Sequence, residues 1–215
     1  MDDTPGAGAD DRRERRIDVA SASLLAVATV LAAWSAFQSA KWSGEQATAY
    51  AQASSLRQES VRASTLAGQQ TIIDVSVFEQ IVDAFAAGDR RLEEFYRDRA
   101  RAEFEPALEA WIAQARNDIE RAPSTPFALP EYELSATVES EELQHRAEAR
   151  FQDALDNNQR SDNYVLLAVL FASVLLFAGL APKSRSYPIQ AAMIVLAVVV
   201  LVIGLGFLIA FPKTF

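Results

Sequence analysis

Three long stretches without charged residues limit this chain more than any other feature of its sequence. They cover residues 19–40, 163–182 and 186–212. Each is long enough for the roughly 20 apolar residues that a helix needs to cross about 30 Å of hydrocarbon, where backbone groups must bond within the helix itself. The sequence therefore predicts an integral membrane protein with three transmembrane helices.

The segment between the first two runs, residues 41–162, has the pattern of a water-exposed helical domain. Its apolar residues recur every three or four positions, and its prolines are confined to Pro106 and to the loop at residues 121–132. Such spacing is typical of amphipathic helices packed side by side. We predict an all-α protein in which an extracytoplasmic antiparallel helical bundle is inserted between the first and second spans.

The segment boundaries follow from these runs and from the charges beside them. We predict a disordered, basic-ended cytoplasmic tail at 1–16, transmembrane helices at 17–40, 163–182 and 189–211, the bundle at 41–162, a cytoplasmic turn at 183–188 and an external C-terminus at 212–215. Within the bundle, Gly88 is a natural helix end and Asp89 a natural N-cap. Pro106 should kink or split the following helix, and the last helix should begin near Ser140.

Basic residues at the ends of the runs predict the orientation. An Arg-Arg-Glu-Arg-Arg cluster at residues 12–16 precedes the first run, and Lys183 and Arg185 lie between the second and third. By the positive-inside rule both segments stay in the cytoplasm, so the bundle and the C-terminus lie outside. The cluster also fits a cleaved signal peptide, but the long first run continues into a tryptophan-flanked helix, which favours a signal anchor. Frequent alanine and a preference for arginine over lysine indicate a bacterial protein, and hence the inner membrane.

The charge balance and the lack of cysteine narrow the function. Residues 41–162 hold 13 Lys or Arg against 23 Asp or Glu, within a chain of formal net charge −9. Nucleic-acid binding needs a basic face that neutralises phosphates, so this partner class is excluded. Without cysteine, the chain has neither a disulfide framework nor a thiolate site.

The first span carries a row of small residues. Ala28, Ala32 and Ala36 follow one another at four-residue spacing. Small residues let helix backbones approach closely in lipid, so this row is a candidate helix-packing face. It favours a homo-oligomer or a complex with a partner membrane protein within the lipid bilayer. The alternative is that alanine is frequent throughout this chain and the row has no special role.

Polar residues cluster just outside the first and second spans. The cluster consists of Gln38, Trp42, Glu45, Gln46, Asn158, Ser161, Asp162 and Tyr164. An antiparallel hairpin of the two helices would bring these residues together at the membrane surface. Asn158 extends the apolar stripe of Phe151 and Leu155, and a polar residue on a packed face is costly unless paired. We therefore expect a hydrogen bond from Asn158 across the bundle, with Gln38 as the partner. The cluster is either a clamp that fixes helix register or a ligand or coupling site.

Candidate catalytic chemistry is sparse. His145 forms a Glu-x-x-His pair with Glu142, but di-iron bundles need two such pairs, and the charged neighbours favour a solvated face. The sequence has no Gly-rich phosphate loop, Ser-His-Asp arrangement or Cys nucleophile. Ion carriers usually keep ionisable groups within the membrane, which these uncharged spans lack. We predict a protein that is not an enzyme and uses no cofactor or metal.

Several short motifs resemble those of a known group of proteins. They are Trp-Ser-Ala-Phe-Gln followed by Trp-Ser-Gly-Glu-Gln, Pro-Phe-Ala-Leu-Pro-Glu-Tyr in the loop, and Ser-Asp-Asn-Tyr at the second span. Over nearly its whole length the chain resembles an uncharacterised family of bacterial three-span membrane proteins, which implies no activity. More loosely, it is similar to the sensory bundles of chemoreceptor-type proteins, although no cytoplasmic signalling domain follows.

These observations favour a non-enzymatic integral membrane protein. Its external bundle would bind a partner protein or a small ligand, as a sensor, a scaffold or an accessory subunit. The alternative is a subunit of an oligomeric channel or transporter complex, in which several copies or a partner build the pathway.

Overall fold

A computed structural model describes residues 7–118, 121–184 and 186–214. Five α-helices hold most of these residues, and no strand occurs among them, so the predicted all-α class is confirmed. The helices are α1 (Ala7–Ala87), α2 (Arg90–Arg97), α3 (Glu105–Asn117), α4 (Ser135–Leu180) and α5 (Tyr187–Ala210). Short 3₁₀ turns lie at Pro126–Ala128 and Ala181–Lys183. Three helices, α1, α4 with the turn that follows it, and α5, are long and apolar enough to cross a membrane, as predicted.

Helix α1 is unbroken for 81 residues because nothing within it stops a helix. No proline lies between Pro5 and Pro106, and Gly88 takes a left-handed φ of 72° directly after the last helical residue. Residues 7–16, which we expected in a disordered tail, are helical, since no proline separates them from the rest of α1 and alanine is the strongest helix former. Residues 1–6 of the expected tail lie outside the described residues.

The chain divides into two compact units. The terminal unit comprises Met1–Tyr50 and Gln152–Phe215, and the central unit comprises Ala51–Phe151. The predicted bundle at 41–162 contains the whole central unit and extends past it at both ends. Each unit is described by itself below.

Seams that repeat every seven residues organise the terminal unit. On α1 the buried positions are Ile17, Ser21, Leu24, Ala28, Ser35, Gln38, Trp42 and Ala49. On α4 they are Ala154, Ser161, Tyr164, Leu167, Phe171, Val174 and Ala178. On α5 they are Ala197, Gly204 and Leu208. Alternating steps of three and four residues keep one face of a helix against its neighbour, as in left-handed coiled coils.

The helices of the terminal unit pack in antiparallel order. One apolar cluster joins Leu24 and Ala28 of α1 to the late part of α4 and to Ala197 of α5. A second cluster joins Trp42 to the early part of α4 and to Leu208. The start of α1 therefore lies beside the end of α4, which confirms the predicted hairpin of the first two spans.

An aromatic core stabilises the central unit. Phe78 packs edge-on against Trp111 with ring centroids 4.8 Å apart, and Phe104 stacks on Phe127 at 5.4 Å. Such offset and edge-to-face arrangements are favourable for aromatic pairs. The proline-rich loop contributes Phe127, and the indole N–H of Trp111 donates to the carbonyl of Pro123 at 2.7 Å. The loop is therefore fixed on the core by its own side chains.

The ends of the central helices test three local predictions. Asp89 caps α2, since its carboxylate accepts from the backbone N–H of Leu92 at 3.1 Å. The helix predicted after Asp89 is split into α2 and α3, with Pro106 in the first turn of α3. Helix α4 starts at Ser135 rather than at Ser140, because the Glu103 carboxylate accepts from the Ser135 N–H at 3.2 Å and so satisfies a donor of the first turn.

Candidate functional site

Gln38 of the predicted cluster is fully buried, with 0% of its surface exposed. Its side-chain amide pairs with the backbone of one residue beyond α5. The Nε2 group donates to the Thr214 carbonyl at 3.0 Å, and Oε1 accepts from the Thr214 N–H at 3.1 Å. This two-bond pairing satisfies both ends of the amide and both backbone groups, which removes the cost of burying them.

Tyr164 of α4 bonds to the same segment after α5. It is also fully buried, and its hydroxyl donates to the Pro212 carbonyl at 3.0 Å. The backbone of Pro212 and Thr214 lies outside any helix, and side chains of α4 and α1 supply its hydrogen-bond partners. Gln38 and Tyr164 together hold the chain that follows α5 against both other spans.

A group of hydroxyls joins α1 to α4. Ser161 is 4% exposed, and its Oγ lies 3.0 Å from Ser39 Oγ and 2.9 Å from Ser43 Oγ. The same hydroxyl donates to the Ser39 carbonyl at 3.1 Å. Since a hydroxyl has one proton, Ser161 accepts from the other two serines when it donates to this carbonyl. Small hydroxyls of this kind allow close approach and bond neighbouring membrane helices.

Trp42 lies on the seam next to these serines. Its indole ring packs beneath Arg160, whose guanidinium carbon is 4.7 Å from the ring centroid. The buried indole N–H has no hydrogen-bond partner among the described residues. The contribution of Trp42 is therefore apolar packing and a cation–π contact rather than hydrogen bonding.

The expected hydrogen bond between Asn158 and Gln38 is wrong. Asn158 is half-buried, and its amide donates along α4 to Asp162 Oδ2 at 3.1 Å. Leu155, which we placed on the same buried stripe, is 41% exposed. The buried positions of α4 on either side of Asn158 are Ala154 and Ser161, seven residues apart, so Asn158 lies beside the seam rather than on it.

The remaining cluster residues also lie off the seam. Glu45 and Asp162 are exposed, and Gln46 is half-buried. The structure thus brings together Gln38 and Tyr164 at the chain after α5, and Trp42 and Ser161 at the contact between α1 and α4. The geometry of these four residues is that of a register clamp, in which each polar group except the Trp42 indole N–H has a partner within the unit.

The alanine row of the first span is only partly buried. Ala28 is fully buried, Ala32 is half-buried and Ala36 is exposed. Four residues advance an α-helix by about 400°, so a row at this spacing drifts by about 40° per step from a seven-residue seam. A second set of small residues faces outward at alternating steps of three and four. This outward small-residue face consists of Ala22, Ala26, Thr29, Ala33, Ala36 and Ala40.

A buried ionic network in the central unit escaped the sequence analysis. Asp74 of α1 is 0% exposed, and its Oδ2 accepts from Arg101 Nη1 at 2.8 Å and from the Tyr132 hydroxyl at 3.0 Å. Arg101 also bonds Glu103, which in turn caps the Ser135 end of α4. The network connects α1, the segment before α3, the proline-rich loop and the start of α4.

Burial and hydrogen bonds shift the titration of this network in opposite directions. Burial raises the pKa of Asp74, against the lowering influence of the Tyr132 hydroxyl and Arg101. Hydrogen bonds from Ser135 lower the pKa of Glu103. Burial also raises the pKa of the Tyr132 phenol. The signal in the sequence was an acidic residue inside the apolar run 72–78, at a position that continues the seven-residue seam from Ala67 to Ile81.

The described part of the chain contains no group of three His, Cys, Asp or Glu side chains arranged to hold a metal ion. Glu142 and His145, the one Glu-x-x-His pair that the sequence analysis considered, are both exposed on α4.

Comparison with models of protein families, with curated proteins and with solved structures gave no match to this chain. The resemblance to a three-span family therefore stays a prediction, and function has to be inferred from the chain's own geometry.

Proposed function

We propose that the chain is a non-enzymatic protein of the bacterial inner membrane whose extracytoplasmic central unit binds a partner protein or a small ligand. It would act as a sensor, a scaffold or an accessory subunit. The observation that supports this most is the closure of Gln38 and Tyr164 on the backbone after α5. These side-chain and backbone groups bond to one another within the terminal unit, and the spans carry no charged residue. The spans are therefore better suited to anchoring the protein than to forming a pathway for ions or solutes, so we assign binding to the central unit.

The orientation rests on where the basic residues lie. The guanidinium carbon of Arg13 is 5.5 Å from the ring centroid of Tyr187, so the basic segment before the first span lies beside the start of α5. Lys183 is a few residues away in the chain. By the positive-inside rule this end of the terminal unit faces the cytoplasm.

Cysteine labelling tests the orientation. A Ser124→Cys variant carries its thiol in the proline-rich loop, and a Ser184→Cys variant carries it between α4 and α5; the native chain has no cysteine. An impermeant maleimide should label the first variant in intact spheroplasts and the second only after lysis. The reverse pattern would mean that the central unit is cytoplasmic.

Self-association in the membrane is part of the same proposal. The outward small-residue face follows the spacing that lets two helices pack closely in lipid. Ala36→Leu should therefore weaken the oligomer measured by cross-linking in native membranes, and should leave the unfolding midpoint of the monomer unchanged. Ala28→Leu, on the buried seam, should instead lower that midpoint by overpacking. If neither variant weakens the oligomer, the chain is a monomer or self-associates through another surface.

The binding role itself is tested by partner capture and by electrical recording. Affinity purification of the full chain from its own membranes should recover a stoichiometric protein partner. If the chain is purified without a partner, it should instead bind an added small ligand. Reconstitution into planar bilayers should give no conductance. Reproducible currents would instead favour the channel or transporter subunit.

A further inference from the structure

A polar cleft of about 560 Å³ lies in the central unit, where α1 ends and α2 begins. Its wall includes Phe85 from the end of α1, four charged residues of α2 and Arg116 from the end of α3. The charged residues of α2 are Arg90, Glu93, Glu94 and Arg97. This volume falls within the range of roughly 300 to 1,000 Å³ that small-molecule sites usually occupy.

The cleft is rich in arginine although its surroundings are acidic. Three arginines and two glutamates line it, and Glu109, outside the lining, balances Arg97, whereas residues 41–162 carry ten more acidic than basic side chains, from 23 against 13. Guanidinium groups that converge on one concavity are suited to planar anions such as carboxylate and phosphate. The donors that face the cleft therefore favour an anionic occupant.

The arginines keep unused donors. Arg116 uses Nη2 to bond Glu93 Oε1 at 2.7 Å, and Arg97 uses Nε and Nη2 to bond Glu109 Oε1 at 3.0 and 2.6 Å. Glu109 does not line the cleft. Arg90 is exposed and forms no ion pair with any described residue. All donors of Arg90 and some donors of Arg97 and Arg116 thus remain available for charge-assisted hydrogen bonds to a ligand.

The Glu93–Arg116 pair forms a fixed wall of the cleft. Glu93 is only 5% exposed, so its carboxylate holds the guanidinium of Arg116 in place from the protein side. A donor that is held before the ligand arrives loses little side-chain entropy on binding. Arg116 is therefore positioned before binding even though 54% of its side chain is exposed, whereas Arg90 becomes ordered only when it binds.

Behind this pair lies an apolar crevice that limits the size of the occupant. The crevice, lined by Ile81, Trp111 and Ile112 among others, has about 10 Å³ of space. Such a volume holds at most a single water molecule. An acyl chain therefore cannot enter the crevice, and the occupant is held within the polar cleft itself.

We propose that this cleft binds a small organic anion whose carboxylate or phosphate group is held by Arg90, Arg97 and Arg116. Hydroxyl or ammonium groups of the same molecule would donate to Glu94. The proposal rests on the ligand-binding role argued above and specifies the class of ligand.

Fluorine NMR of the full chain, labelled with 5-fluorotryptophan in detergent micelles, gives a local test. Trp111 lines the crevice behind the cleft, while Trp34 and Trp42 belong to the terminal unit and serve as internal controls. Sodium succinate and sodium phosphate are titrated separately at constant ionic strength against sodium chloride, and a Trp111→Phe variant assigns the resonance. A saturable shift of the Trp111 signal alone is expected with at least one probe, and the stronger probe identifies the anion class.

Two matched variants decide whether the shift comes from the cleft. Arg90→Gln removes an unpaired guanidinium from the wall and should weaken the apparent Kd about tenfold or more. Arg91→Gln removes the same charge from the neighbouring residue, which lines a different groove, and should change the Kd by no more than about twofold. Unshifted resonances in the absence of anion show that both variants fold.

The outcomes separate this proposal from the wider one. No saturable shift of Trp111, or equal weakening in both variants, would overturn the anion site. Recovery of a protein partner in that case would keep the binding role. Bilayer currents together with a normal anion titration would overturn the binding role as the main function and leave the site intact.

Discussion

The two units bury polar groups in different ways. In the terminal unit the buried polar side chains on the seams are neutral, and Gln38, Tyr164 and Ser161 bond to backbone carbonyls or to hydroxyls. In the central unit two of the three described residues with buried polar side chains form ion pairs, Asp74 with Arg101 and Glu93 with Arg116, and the third, Ser60, bonds Ser140. An ionised side chain in hydrocarbon has no water to solvate it. In a helical bundle surrounded by water, the outer atoms of an ion pair can stay solvated. The two units therefore differ in the kind of polar group that they bury as well as in hydropathy.

Packing differs in the same sense. In the terminal unit large rings pack against small residues, so that the Phe171 ring lies directly over Gly204. In the central unit aromatic rings from α1, α3 and the proline-rich loop pack against one another. In water, burying large rings adds stability, but in lipid this drive is absent and close van der Waals contact takes its place.

The largest expected effect is the loss of a charge partner in the central unit. Arg101→Met leaves the Asp74 carboxylate buried without its cation, which should destabilise the chain by about 3 to 5 kcal/mol. Urea unfolding of the full chain in detergent measures the loss, and faster hydrogen exchange in residues 71–81 would localise it.

Two further variants sharpen this result. Arg91→Met, at an exposed position, should change stability by less than about 0.5 kcal/mol. Asp74→Leu added to Arg101→Met should restore part of the loss, because an apolar pair can replace a buried ion pair. If the double variant is less stable than Arg101→Met alone, the network contributes more than charge compensation.

The next effect tests the close packing of the terminal unit. A Cβ at Gly204 would lie 2.8 Å from Phe171 Cε1, and Phe171 is fully buried and cannot swing away. Gly204→Ala should therefore cost about 1 to 3 kcal/mol in thermal unfolding in detergent. Gly206→Ala, on the same helix with nothing within 4 Å, should be neutral or stabilising, since alanine is the better helix former. Equal effects at both positions would contradict the close contact.

A smaller effect is expected from the neutral clamp. Gln38→Leu leaves the N–H and the carbonyl of Thr214 without their partners and should cost about 1 to 2 kcal/mol in the same assay. Ending the chain at Phe211 removes Thr214, so Gln38→Leu should cost less in that background. Gln38→Leu and Asn158→Ala should add independently within about 0.5 kcal/mol. A strong energetic coupling between Gln38 and Asn158 would instead indicate that the two side chains are in contact, contrary to the structure.

The smallest effect is a pH dependence confined to the central unit. Burial raises the pKa of Asp74 above its ordinary value of 3.8, so the folded chain holds this proton more tightly than the unfolded chain does. Stability is therefore lost as the pH rises from that value through the folded pKa. Glu103 acts in the opposite sense: its lowered pKa adds stability above its ordinary value of 4.5, and this stability is lost as the pH falls through the folded pKa.

Asp74→Asn separates these two contributions. The variant cannot ionise at this position, so its stability relative to the native chain should improve as the pH rises from about 4 toward neutral. Unfolding midpoints measured over this range in both chains provide the comparison. Parallel profiles would mean that Asp74 has its ordinary pKa in the folded chain.

Features that depend on local composition could be predicted from the sequence. The three uncharged runs predict the three membrane-length helices, and Gly88 and Asp89 predict the end of α1 and the N-cap of α2. Partners across helices could not be predicted in the same way. The positions of Asn158 and Ala36 depended on whether buried residues recur every 3.5 or every 4 residues, and short stretches of sequence fit both spacings. Asp74 was missed because its partners Arg101 and Tyr132 are distant in sequence.

The seven-residue repeat of α1 also restricts how this chain can change in length. One residue inserted between Ile17 and Trp42 would rotate the rest of the seam by about 100°, which turns its buried side chains toward lipid. An insertion of seven residues rotates it by only about 20° and lengthens the helix by about 10 Å. Related chains that differ in length within this span should therefore differ by whole heptads, with α4 and α5 lengthened to match.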